Sequence, residues 1–179
     1  MALGATIHTF DVQLADVDRG VYEDLSFRVA RHPSETDAYM MTRVLAYCLE
    51  YQEGIGFSEG VSATDEPAVL IRDLTGHITA WIEVGAPDAE RLHYASKLVD
   101  RTRIYTHRDP EKVRAPWAGK RIHRAEEIEL HSFDPDFIAH AVGALARRNT
   151  MSLSVTERHV YLELNGTSSE SDIHTLSLD

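Results

Sequence analysis

Apolar residues alternate with polar ones at Phe10, Val12 and Leu14, and again at Leu25, Phe27 and Val29, the period-two pattern of strands with one buried face. Between them Asp16-Val17-Asp18-Arg19-Gly20 supplies the Asp and Gly that hairpin turns use, so the chain opens on a hairpin. The period then changes. His32-Pro33 stops the strand, Ser34 is placed as a helix N-cap with Asp37 as its capping-box acid, and Met41, Val44, Leu45, Cys48 and Leu49 recur at helical spacing towards Gln52, before Gly54. Residues 57–64 read as a glycine-containing loop. Residues 69–71 and 78–82 read as strands joined by a turn at Gly76, and the second is apolar at nearly every position, as in a central strand covered on both faces. Pro87 and Asp88 suit the start of a helix running to Val99, and residues 103–106 return as a strand, parallel to the one before through a right-handed crossover. Residues 109–119 are irregular or a short helix, and 127–130 a short strand. Asp134 caps a helix to Arg147 with Phe137, Val142 and Leu145 inward. Residues 151–155 and 160–164 flank Glu157-Arg158-His159 as a second hairpin, with one more strand at 173–178. This order predicts a single α/β (α+β) domain over residues 1–179, a mixed sheet flanked by helices with hairpins at both ends.

Composition narrows the function classes. The chain has 179 residues, of which 43% are hydrophobic, enough to bury about 70% of the unfolded surface without a covalent staple. The lone cysteine, Cys48, excludes an internal disulfide framework. The N-terminus has no basic region followed by an apolar run, and no stretch reaches membrane-spanning length, so a cytoplasmic protein without a membrane is expected. Net charge is -11, which opposes indiscriminate nucleic-acid binding. The average conceals a segment: residues 91–124 hold ten of the 18 Lys and Arg against three acids. That surplus is a solvated basic face, or an anion-facing surface on which Arg91, Arg101, Arg103 and Arg108 would meet a nucleic-acid backbone.

Candidate chemistry gathers at Trp81-Ile82-Glu83-Val84-Gly85-Ala86-Pro87-Asp88, where an apolar strand ends in a carboxylate and turns into a helix. A carboxylate in so apolar a strand is costly unless a cation or hydrogen bonds compensate. Upstream lie Asp65-Glu66-Pro67 and Asp73, so Glu83, Asp73, Asp65 and Glu66 are the candidate ligands of Mg²⁺ or Mn²⁺. The ten histidines form no His-x-x-x-His pair, and no phosphate loop, Gly-x-Ser-x-Gly elbow or Rossmann fingerprint occurs, which argues against zinc, nucleotide and serine chemistry.

Three motifs in order, Arg31-His32-Pro33-Ser34-Glu35-Thr36, Asp65-Glu66-Pro67 and Trp81-Ile82-Glu83-Val84-Gly85 with Pro87-Asp88, resemble the bacterial YaeQ family. The resemblance runs along nearly the whole chain and implies a fold similar to the PD-(D/E)XK nuclease superfamily, whose core is a mixed four-stranded sheet flanked by helices. It implies a role for Glu83 as the acid of the (D/E)XK element and for Val84 as its variable position. Gly85 stands where that element has lysine. Superfamily variants take the basic residue from the following helix, which points to Lys97; its alternative is a surface lysine. Arg91, nearer the start of that helix, could clamp phosphate without serving as a base. The superfamily's Asp position falls on Asp73, otherwise a turn residue, or on Asp65 and Glu66. Glu35 matches a helix acid used by some of these nucleases, or merely meets the helix dipole.

Two functions follow as expectations. One is a metal-dependent nuclease or phosphodiesterase acting on DNA or RNA through Glu83, Lys97, Asp73 and Glu35. The other is a non-catalytic module of the same fold that binds nucleic acid or a protein partner. Sequence leaves the oligomeric state open.

Overall fold

The computed structural model describes residues 4–58 and 66–178; Asp65 lies outside them. The N-terminal hairpin forms from β1 (Thr6–Asp16) and β2 (Val21–Arg31), paired antiparallel over their full length. Helix α1 (Asp37–Leu49) follows. Then come β3 (Ile55–Phe57), β4 (Val69–Arg72), β5 (Ile78–Val84), α2 (Ala89–Leu98), β6 (Arg101–Thr106) and the short α3 (Pro110–Arg114). The last third holds β7 (Glu129–Phe133), α4 (Phe137–Ala144), β8 (Arg148–Thr156), β9 (His159–Leu164) and β10 (Thr167–Ser177).

The strands hydrogen-bond in the order β2, β1, β8, β9, β10, β7, β6, β5, β4, β3, a mixed sheet. β5, β6 and β7 run parallel, as do β1 and β8; the other pairs are antiparallel. The long β10 carries a seam: Thr167 to Asp172 pair with β9, whereas Ile173 to Ser177 pair with β7. At the change of partner the Asp172 amide donates to Asp134 Oδ2 (3.1 Å), and the Asp134 amide donates to the fully buried Ser171 hydroxyl (2.7 Å). Side chains thus take over where the β10 ladder changes partner.

Helix α1 is buried on nearly every side, with Met40, Met41, Val44, Leu45 and Cys48 all inaccessible, because strands from both halves of the sheet close on it. Ala80, Ile82 and Val84 of β5 face this main core. The alternate positions face α2, where Trp81 packs with Ala95 and Val99 while Leu92 joins Ile104, Val113, Trp117 and Leu130. β3 to β6 are therefore the end of this ten-stranded sheet that has α1 on one face and α2 on the other. No described helix is long and apolar enough to cross a membrane.

Several boundaries differ from the sequence reading for local reasons. Thr36, not Ser34, caps α1: its hydroxyl accepts from the Tyr39 amide at 3.0 Å, while the Ser34 hydroxyl lies 2.7 Å from His32 Nδ1. Asp134 does not cap α4, being held by Asp172 and His174; Asp136, at φ 71°, occupies the cap position, and the helix stops at Ala144 rather than Arg147.

Candidate functional site

The end of β5 is shaped by one glycine. Gly85 has φ +99°, its amide donates to the Tyr105 carbonyl (2.9 Å), and the Tyr39 ring lies 3.4 Å from where a β-carbon would sit. That backbone turns the chain from strand to helix and disfavours any L side chain. The position where the resemblance places lysine is thus closed to it by backbone conformation. Asp88 then caps α2, its carboxylate accepting from the Arg91 amide at 2.8 Å.

Glu83 points to the α2 side and is 5% exposed. Trp81 Nε1 and Arg91 Nε both donate to Oε1, each at 2.5 Å. Arg91 Nη2 donates to the Glu66 carbonyl (2.6 Å), and the guanidinium lies 5.5 Å from the Trp81 ring. Burial pushes the Glu83 carboxyl up; the Arg91 charge and the Trp81 hydrogen bond oppose it. One arginine thus joins β5, α2 and the segment entering β4.

The remaining candidates are dispersed. Asp73 sits in the β4–β5 turn, where its carboxylate accepts from the Thr75 and His77 amides and the Thr75 hydroxyl, interactions that lower its pKa. Five residues of β5 separate that turn from Glu83, roughly 16 Å of strand, so the two carboxylates do not share an ion. The Glu66 carboxylate turns to Arg72 Nη2 (3.3 Å), leaving only its backbone at the corner. Lys97 is exposed near the far end of α2, about 9 Å along the axis from Arg91 and on another side of the helix. Glu35 precedes the Thr36 cap rather than occupying the first turn. It is buried against Arg43 (2.9 Å), with Oε1 lacking a hydrogen-bond partner among the described residues. Tyr39 feels both acids: burial and the charges of Glu83 and Glu35 push its hydroxyl up, while Arg43 and Arg91 pull it down. Among the described residues no three acids, histidines or cysteines form a metal cluster.

The basic segment is not a continuous stripe. Arg101 pairs with Glu50, and Arg103 pairs with Glu129 (3.1 Å) and donates to two backbone carbonyls. Arg124 donates to the Ser96 and Val99 carbonyls. Of the four arginines expected on nucleic acid, Arg108 alone has no acidic partner among the described residues.

Sequence reasoning missed a second group of buried polar side chains, Glu50, Tyr105 and His131, brought together from α1, β6 and β7. Their numbers are far apart in the chain, and only the Glu157-Arg158 turn, which lacks the usual Asn or Gly, hinted at something near them.

A sequence model described as "YaeQ protein" matches residues 1–173. The Escherichia coli K12 protein named "Uncharacterized protein YaeQ" is 40% identical over 107 residues, covering 60% of this chain and 59% of that protein, so the match spans less than two thirds of its length. The crystal structure of YaeQ from Pseudomonas syringae superposes with a TM-score of 0.86 at 30% identity, covering 97% of this chain and 96% of that one. That of YaeQ from Xanthomonas axonopodis pv. citri gives 0.87 at 28%, covering 97% and 98%. With the family match and the shared fold running along nearly its whole length, this chain belongs to the YaeQ family.

Proposed function

We propose that this chain is a metal-dependent phosphodiester hydrolase acting on DNA or RNA, with Glu83 as a metal-holding carboxylate and Arg91 in the electrostatic place of the missing lysine. One observation carries the reading. Glu83 is buried at the end of a central strand, and Trp81 and Arg91 both hold it through Oε1, which makes Oε2 the oxygen that would take a further ligand.

The donor set fits Mg²⁺ or Mn²⁺, which take one or two protein carboxylates and complete their shell with water and substrate phosphate. Glu83 is one carboxylate; Asp65, next in sequence to Glu66, is the second candidate. A bound divalent cation supplies Lewis-acid polarisation of the phosphoryl group and an activated water. The chain's own residues prepare that step. Arg91 favours the ionised carboxyl against the cost of burial, and Trp81 fixes its orientation. A guanidinium stabilises negative charge without exchanging a proton, so Arg91 acts electrostatically and not as a base. The mixed β3–β6 end of the sheet, lying between α1 and α2, supports this reading of the resemblance.

A second reading, a module that binds nucleic acid or a protein without turnover, is favoured by the backbone at Gly85 and the Glu83–Arg91 pair. One experiment decides between them. Wild type is expected to cleave single-stranded or duplex DNA or RNA with Mg²⁺ or Mn²⁺, and Glu83→Gln to leave only background. Equal cleavage by the two overturns the hydrolase reading, and salt-dependent retention of uncut substrate then selects the module.

A further inference from the structure

Where β10 changes partners, the Ile173 amide is held by the Arg158 carbonyl at 2.8 Å. Arg158 is the second residue of the two-residue turn joining β8 to β9; Glu157 has φ +51° and Arg158 φ +58°. This is the left-handed conformation of a type I′ turn, for which Asn-Gly is the usual sequence. Here both amides donate to the Asp18 carboxylate, at 2.7 and 2.9 Å, which holds the strained turn in place. Non-glycine residues kept in such a conformation by their surroundings concentrate at functional positions.

The side chain so placed reaches into a polar seam. Arg158 Nη2 lies 3.5 Å from His131 Nδ1, which also lies 2.9 Å from the Thr175 hydroxyl. The His131 ring packs on Tyr105 with centroids 4.8 Å apart. Beside Tyr105 is the buried Glu50, whose Oε2 pairs with Arg101 and whose Oε1 has no hydrogen-bond partner among the described residues. Arg19, Arg101 and Arg103 each have a carboxylate within ion-pair distance, from Asp16, Glu50 and Glu129. Arg158 has none among the described residues.

We propose that Arg158 and Arg101, above the buried floor of His131, Tyr105 and Glu50, bind a terminal phosphate group. Arg101, Arg103 and Tyr105 alternate with Ile104, which pairs with Glu83, so this site lies on the opposite face of β6 from the hydrolase corner and does not depend on it. Charge selects the ligand. Arg101 meets Glu50 through Nη2, and its side chain is 35% exposed, so its remaining donors can act with Arg158 on one ligand. Two guanidiniums match the dianion of inorganic phosphate or a phosphate monoester better than the single charge of a carboxylate or an internal phosphodiester. Burial, and after it the field of the arginines, holds His131 neutral, so the ring adds no charge of its own to the site.

Calorimetric titration of the full chain with inorganic phosphate tests the site, with acetate as the carboxylate probe. Wild type is expected to bind phosphate and not acetate, Arg158→Gln and Arg101→Gln to weaken binding by about tenfold or more, Arg158→Lys to retain part of it, and Arg28→Gln, on the exposed face of β2, to leave it unchanged. Equal affinity in wild type and Arg158→Gln, equal binding of acetate, or no binding at millimolar phosphate would each overturn the proposal. Thermal unfolding of each variant checks that a loss of binding is not a loss of fold.

Discussion

The corner at the end of β5 and the seam along β10 both bury a glutamate against an arginine, yet they dispose of positive charge differently. At the corner the Arg91 guanidinium is shared among Glu83, the Glu66 carbonyl and the Trp81 face. At the seam Arg101 meets Glu50, and the Arg158 guanidinium meets a neutral histidine with no acidic partner among the described residues. The density of Lys and Arg in sequence therefore does not show where charge is available. Arg91, Arg101, Arg103 and Arg124 of the basic segment each have internal partners, whereas Arg158, set between Glu157 and His159, has no acidic partner among the described residues. Stability should expose the difference most strongly. Arg91→Ala leaves a buried carboxylate unpaired and is expected to cost about 3–5 kcal/mol, with Glu83→Gln in that background recovering much of the loss. Arg158→Gln should stay within about 0.5 kcal/mol of wild type. Urea unfolding measures both, and equal costs would make the seam a structural pair like the corner.

Acidification sharpens the same contrast. Burial, followed by the charges of Arg158, Arg103 and Arg101, lowers the His131 pKa from 6.5 to about 3. The folded state holds this ring neutral while the unfolded chain protonates it below pH 6.5, so its contribution is complete above that value and falls as pH drops towards 3. The loss approaches about 1.4 kcal/mol per pH unit, or about 2 kcal/mol by pH 5. Glu83 and Glu50 act in the opposite sense, because their carboxyls are raised and their ionisation penalty is relieved by acid. Both remain in His131→Gln, so the stability difference between wild type and that variant isolates the histidine. A difference that does not change between pH 8 and pH 5 would show that His131 is not held neutral.

What the sequence revealed was local. The two hairpins, α1, α2 and the buried β5 follow from periodicity, and Glu83 stands out because a carboxylate inside an apolar strand needs compensation. Pairing between distant segments left no such trace: β1 lies parallel to β8, and β10 begins at Thr167 because β9 supplies its hydrogen bonds, although Thr167-Ser168-Ser169-Glu170 has no apolar alternation. Spacing misled at Asp73. Its place just upstream of Glu83 made it a candidate ligand of the same ion, but the reversal at Gly76 sends Asp73 to the other end of β5. On α2, the turn that brings Arg91 to Glu83 carries Lys97 onward to an exposed position, so the partner of Glu83 depended on helix phase rather than on which base is present. The seam was illegible because its members meet only after three strands, a turn and the end of α1 have been assembled.

The smallest expected effect separates stability from function at one residue. Arg158→Gly places the one residue free of a β-carbon where φ is +58°, relieving left-handed strain while keeping the amide that donates to Asp18 and the carbonyl that holds Ile173. Because the guanidinium has no acidic partner to lose among the described residues, the balance should favour the variant, by about 1 kcal/mol. Phosphate binding should fall nonetheless, since the charge that distinguishes the seam from the corner is gone. Thermal unfolding read beside phosphate titration decides the matter. A destabilised Arg158→Gly would mean that the side chain supports the turn it strains, and the seam would then resemble the corner, with its arginine kept for structure.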